Sequence, residues 1–311
     1  MGIFRKRPAE TETPDPDITF MSVSTANTFR TVAREVFAEL GLEVDIYPGH
    51  ALDASGRGYG FWNVAALCST APQSAWRSII ADHVRNVLTS FDSPNPFAGL
   101  SPAEIRNQTF ARLYDESAVP GLDDHPHREF APGLIEMLAL DLPQTVTVFR
   151  HENARDHGGW EALRQQGMAN LRGLEVERLQ TLAAPESGAF TVLFGGSFYT
   201  ASRALLLPGL ATELTGKSVR EDYGWLMCVP NRHQVAWHLI EDISVVGAAN
   251  GMAGFAAMGY AEAPGPLSPH VYWWNGSGYD QLTEITDDGR TIIRVSGGFQ
   301  DVLQSIMAEG R

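Results

Sequence analysis

One stretch constrains the fold of this chain more than any other. It is Gly188 to Asp242, GAFTVLFGGSFYTASRALLLPGLATELTGKSVREDYGWLMCVPNRHQVAWHLIED. Phe190 to Phe194 is a short apolar run bounded by glycines, which predicts a strand. Gly195 and Gly196 then turn the chain, and Ser197 stands where it would cap a helix carrying Ala201, Ala204 and Leu205. Pro208 interrupts or restarts that helix, because proline lacks the N–H and clashes one turn back. Trp225 to Val229 reads as a buried strand, Pro230 and Asn231 begin a turn, and Gln234 to Leu239 suits strand or helix alike. The two turns are where chemistry has room to sit.

Gly195, Gly196 and Ser197 follow a strand and precede a helix. Backbone N–H groups at such a place hold anions, and glycine lets a ligand approach closely. Arg203 lies further along that helix and would support the anion or solvate a face. The nucleophile-elbow pattern needs a second glycine where Tyr199 stands, and phosphate-loop and dinucleotide patterns are absent. At the other turn Asn231 is a natural cap and Arg232 an anion contact at a strand's C-terminal edge. Either turn also reads as a purely structural one. Two polar loops carry metal-capable groups: Asp123, Asp124, His125 and His127 in one, and His151, Glu152, Asp156 and His157 in the other. Neither has a His-Glu-x-x-His spacing, and such residues are common in exposed loops. Trp237 and His238 read as packing or surface residues. Trp273 and Trp274 fall on opposite faces of a hairpin, so one of them belongs to the core.

Ahead of this stretch, Phe29, Val32, Ala33, Val36, Phe37 and Leu40 predict a helix over 24–40, capped by Ser24 or Thr25 and ended at Gly41. LEVDIYPG and FWNVAALC read as two strands around the turn ASGRGYG, and 72–90 reads as a helix with Trp76, Ile80 and Val84 on its face. Pro94 and Pro96 break the chain. Ser101 and Glu104 form a capping box for a helix expected to run on through Phe110, Leu113 and Tyr114. GLIEMLAL reads as a short helix, QTVTVFR as a strand and WEALRQQGMANL as a helix. Val245 to Met258 predicts a helix with a small-residue face. HVYWWNGSGYDQLT is a hairpin around Asn275-Gly276, TIIRVSG a strand, and 299–307 a closing helix.

Composition narrows the function classes. The 311 residues are 44% hydrophobic and 19% charged, which is globular rather than disordered. A net charge of −14 repels a phosphate polymer, so nucleic acid is not an expected partner. Cys68 and Cys228 each sit in an apolar run, as buried reduced thiols do. No apolar run reaches membrane-spanning length, and no secretion signal opens the chain, so the cytoplasm is the expected compartment. Arg5, Lys6 and Arg7, followed by Glu10, Glu12, Asp15 and Asp17, read as a disordered tail over 1–17.

Taken together, FWNVAALC, WEALRQQGMANL, GGSFYTASRALLLPGL, LMCVPNRHQVAWHL and LSPHVYWWNGSG occur in an order that resembles the uncharacterised bacterial YtpQ-type family, a domain of unknown function. The likeness spans about residues 20–285, and it departs at Gly196 and His233, where an acidic residue is expected. It implies an α/β-type cytoplasmic domain and supplies no catalytic residues. The expected fold is α+β in two closely packed lobes, a helix-hairpin-helix lobe over 18–118 and a strand-helix lobe over 119–285, with a C-terminal extension over 286–311. The leading functional expectation is a non-enzymatic ligand- or protein-binding or regulatory factor, its two turns meeting to hold a small anion or a partner segment. A metal-assisted hydrolase using the Asp/His loops and an immunity-type protein that shields a partner are the alternatives. The sequence leaves the cofactor open.

Overall fold

The computed structural model describes residues 13–18, 20–92, 95–97, 99–142, 145–184, 188–286 and 288–309. The basic cluster Arg5–Arg7, Glu10, Glu12 and Pro94 therefore lie outside the described residues. The fold is mixed α+β, with several antiparallel sheets. The chain forms two compact units, Met1–Asp92 and Ser93–Arg311. The division thus falls near 92 rather than near 118. The segment between those positions belongs to the second unit, because Thr109–Asp115 is paired along its length with Leu134–Leu142.

In the first unit, helix α1 (Val23–Glu39) is capped by Ser22, whose side chain accepts from Thr25 N, and ends before Gly41 at φ +74°. The expected caps, Ser24 and Thr25, lie two and three residues later. Three short strands follow, β1 (Val44–Ile46), β2 (His50–Asp53) and β3 (Gly58–Gly60), in a simple antiparallel meander. FWNVAALC is not a strand. It forms α2 (Trp62–Ser69), because Phe61, Val64, Ala65 and Cys68 recur at helical spacing and all four are buried in one core. Helix α3 (Trp76–Asp92) packs its Trp76, Ile80 and Val84 into the same core. The described end of the tail is ordered as well. Asp15 is buried, takes both Nη groups of Arg30 at 2.8 Å, and accepts from Ile18 N.

In the second unit, α4 (Pro102–Gln108) carries the Ser101–Glu104 capping box as expected. It stops at Gln108, and Phe110, Leu113 and Tyr114 lie in strand β4 (Thr109–Asp115) instead of the helix. Strand β5 (His127–Ala131) and strand β6 (Leu134–Leu142) follow, then β7 (Thr145–Val148). GLIEMLAL is the start of β6, the central strand of this sheet, flanked by β4 and β5. A continuous apolar run has no period to separate helix from strand, and three strand partners decided it. Glu136 of β6 is fully buried, bridged by Arg128 at 2.5 Å and Arg164 at 2.6 Å.

After α5 (His151–Asp156), helix α6 (Gly159–Arg172) covers the free edge of β4. A Cβ on Gly167 would lie 2.4 Å from Ala111 N, so only glycine allows this approach. Asn170 Nδ2 donates to the carbonyls of Arg106, Asn107 and Thr109. Strands β8 (Arg178–Ala183) and β9 (Ala189–Phe194) form a hairpin. A 3₁₀ turn (Ala201–Leu206) and α7 (Gly209–Thr215) separate it from β10 (Trp225–Cys228) and β11 (Gln234–Leu239). With β12 (Tyr272–Trp274) and β13 (Tyr279–Gln281) these strands make a six-stranded sheet ordered β13-β12-β10-β11-β9-β8.

Alternation then separates two cores. Trp225, Met227, Val235 and Trp237 face one, and Leu226, Cys228 and Ala236 face the other. The second core is closed by α8 (Ser244–Glu262). Its small-residue face lies so close to the β8–β9 hairpin that a Cβ on Gly188 would sit 2.4 Å from Ala248 N. Beyond β13, β14 (Thr283–Ile285) pairs with β15 (Thr291–Ile293). Helix α9 (Gly297–Glu309) places Phe299, Val302, Leu303 and Ile306 in that second core, so residues 286–311 complete the unit instead of extending it.

Candidate functional site

Strand β9 ends where β11 begins, since the two are antiparallel and Phe194 is opposite Gln234. That register brings the two predicted turns together. Gly195 N donates to His233 O at 3.1 Å, and Ala201 N donates to Arg232 O at 3.1 Å. Gly195 is required by space, because a Cβ there would lie 2.5 Å from Thr200 Oγ1. A cleft of 330 Å³ opens beside the junction, lined by Glu177, Arg178, Phe194, Gly195, His233 and Gln234.

Within the junction the expected roles are redistributed. The anion-holding N–H of Gly196 is already occupied by the chain itself: it donates to Glu177 Oε1 at 2.8 Å and Oε2 at 2.9 Å. Ser197 does not cap a helix. Its Oγ accepts from Tyr199 N in a local turn, and the 3₁₀ segment starts four residues later. Arg203 is turned inward, 3% exposed, with Nη1 donating to Glu175 O at 3.3 Å; burial lowers its pKa. Asn231 is wholly buried. Its Oδ1 accepts from His233 N, and its Nδ2 donates to Gly259 O, so it ties the turn to α8. Of the predicted ligand residues, Arg232 is the one whose guanidinium stays at the surface of the junction, half-buried over the exposed ring of Phe198 at 4.2 Å.

His233 joins the two turns and sets Arg232. Its Nδ1 lies 3.1 Å from Gly195 O, a pure acceptor, so Nδ1 carries the proton. Nε2 then has its lone pair free to accept from Arg232 Nε at 2.9 Å. Burial, followed by the Arg232 charge, lowers the His233 pKa and keeps the ring neutral.

Three contributors escaped the sequence reading. Arg112 of β4 places its guanidinium carbon 4.8 Å from the Tyr114 ring centre and 5.6 Å from that of Tyr199. Phe198, 43% exposed, carries Arg232. Glu177 fills the backbone site. Arg112 had a signal in FARLYD, an arginine two residues from an aromatic on either side. Reading this segment as helix hid the shared strand face. The pKa of Arg232 is pulled down to about 10 by burial and then by Arg112.

The Asp/His loops do lie side by side. His125 Nδ1 is 3.0 Å from Phe149 O, and Arg150 reaches Asp124 at 3.6 Å. They do not make a metal centre. His127 Nδ1 contacts the backbone carbonyl of His125, His157 stacks on Phe97, and Asp123 and His151 are exposed. Among the described residues no three His, Cys, Asp or Glu side chains could hold one ion, so Asp123, His125, His127, His151 and His157 are not a ligand set here. Both thiols are free and buried. Trp273 is the core member of its pair, donating to Tyr223 O, while Trp274 stacks on Trp225.

Among the described residues, no helix is long and apolar enough to cross a membrane. Compared with protein-family models, curated proteins and solved structures, the chain matches none.

Proposed function

We propose that this protein is a non-enzymatic binding or regulatory factor whose site is the junction of the Gly195–Ser197 and Pro230–Arg232 turns. One observation carries the reading. Two distant turns are stitched together by His233, and the result presents two guanidiniums with no ion-pair partner among the described residues. Exposed arginine without a carboxylate is cheap, but half-buried Arg232 is held charged against burial first and then against the repulsion of Arg112. An anion relieves that repulsion. Membership of the YtpQ-type family is part of the proposal.

A thermal-shift screen tests the reading. Small anions, small cations and neutral metabolites are added to the protein and to Arg232→Gln. The expected result is that some anions raise the melting midpoint of the protein and leave the variant unmoved. Stabilisation confined to cations or neutral compounds, or equal in both proteins, rejects the site.

A further inference from the structure

We propose that Arg112 and Arg232 together bind a phosphate monoester, with Phe198 receiving the ester's apolar or aromatic part. This rests on the ligand-binding reading above and deepens it. Arg112 stands over Tyr199 and Arg232 over Phe198, so two guanidiniums occupy consecutive rings of one turn. Tyr199 is itself fixed, stacked on Phe110 with centroids 4.2 Å apart and planes 16° apart. The Tyr199 half of the platform is therefore held in place before a ligand arrives, which lowers the ordering cost of binding.

Donors predominate here. The Tyr114 ring lies under Arg112, and its hydroxyl is enclosed and turned away from any ligand on the surface. Two carboxylates lie in the neighbourhood. Glu177 is held by Gly196 N, and Asp141 lies on the side of the Tyr199 hydroxyl. Among the described residues neither makes an ion pair with Arg112 or Arg232.

The choice of phosphate over carboxylate follows from counting. Arg232 has committed Nε to His233, which leaves its two terminal nitrogens, and Arg112 adds a second guanidinium with no carboxylate partner among the described residues. Two separate guanidiniums suit an anion with three outward oxygens and about two negative charges, which a phosphate monoester supplies. A carboxylate has two oxygens and one charge and saturates a single fork. The 43% exposed ring of Phe198 adds an apolar surface next to the charge.

Isothermal titration with phenyl phosphate, inorganic phosphate and benzoate is the test. Phenyl phosphate is expected to bind at one site, tighter than either other probe. Arg112→Gln and Arg232→Gln should each weaken it by about tenfold or more, as losing a charge-assisted pair does. Arg112→Lys and Arg232→Lys, which keep charge and lose the fork, should also weaken it. Phe198→Ala should weaken phenyl phosphate and leave inorganic phosphate unchanged. Arg290→Gln, removing an exposed arginine of the β14–β15 turn, should change nothing. Unchanged melting midpoints verify that each variant folds. Tighter benzoate binding with the same arginine dependence overturns the phosphate assignment and leaves the binding site standing. Phenyl phosphate binding that ignores Arg112, or no saturable binding by any probe, overturns the arginine-pair site.

Discussion

Gly167→Ala in α6 is a substitution whose sign the structure decides. In a helix interior, glycine to alanine is worth about 1 kcal/mol of stabilisation. Here the new Cβ would lie 2.4 Å from Ala111 N, 2.8 Å from Phe110 C and 3.3 Å from Phe110 Cα. All three atoms are backbone of β4, so no rotamer change relieves the contact. The helix must back away from the strand edge, which strains the Asn170 bonds to Arg106, Asn107 and Thr109 as well. Overpacking of this kind costs about 1–3 kcal/mol or more, and a rigid backbone obstacle places it at the upper end. The net is destabilisation by about 2 kcal/mol, a fall of about 4–8 °C in the melting midpoint for a unit of this size. Gly254 of α8 is the internal control: it is exposed and a Cβ there meets nothing within 4 Å. Gly254→Ala should raise the midpoint by about 2–4 °C. Differential scanning calorimetry of both variants decides. A stabilised Gly167→Ala would mean that α6 does not rest on the backbone of β4.

Asp15→Asn should destabilise the first unit by about 2 kcal/mol at neutral pH, since it breaks a buried bidentate pair with Arg30. Arg30 holds the Asp15 pKa below its ordinary value, so the stabilisation is whole above about pH 4 and drains away as pH falls through the folded-state value. The acid limb of a pH–stability curve should therefore flatten in the variant, and an unchanged limb counts against the pair. Arg164→Met should cost the second unit about 3 kcal/mol in urea unfolding, because Glu136 is left fully buried with one partner. Arg128→Met should cost less, as Arg128 is 52% exposed; the reverse order would contradict the buried bridge. Burial pushes the Cys68 thiol up to about 12 and the Cys228 thiol higher, so a thiol reagent should label neither in the native protein and both after unfolding. Rapid native labelling would show that the cores around them open.

Local punctuation was the most legible layer of the sequence. The Ser101 capping box, the helix at WEALRQQGMANL, the glycine-bounded strand before Gly195 and the Asn275-Gly276 hairpin all stand where residue chemistry alone puts them. Segments without a period were misread. LIEMLAL is apolar at nearly every position and took its identity from pairing with β4, β5 and β7. FWNVAALC was read as a strand although its buried residues are spaced for a helix. The junction was legible as two turns because glycine and proline mark them. Its occupants were not, since Glu177, Arg112 and Phe198 reach it from a hairpin start, a strand mistaken for helix and an ordinary-looking aromatic.

The most direct test of the central claim is native mass spectrometry of protein purified without a metal-affinity step, beside Arg112→Gln and Arg232→Gln. The account predicts a non-covalent adduct of an organic anion on the protein, displaced by phenyl phosphate and missing from both variants. A stoichiometric divalent metal in place of the anion, or an adduct that persists in both variants, would contradict it.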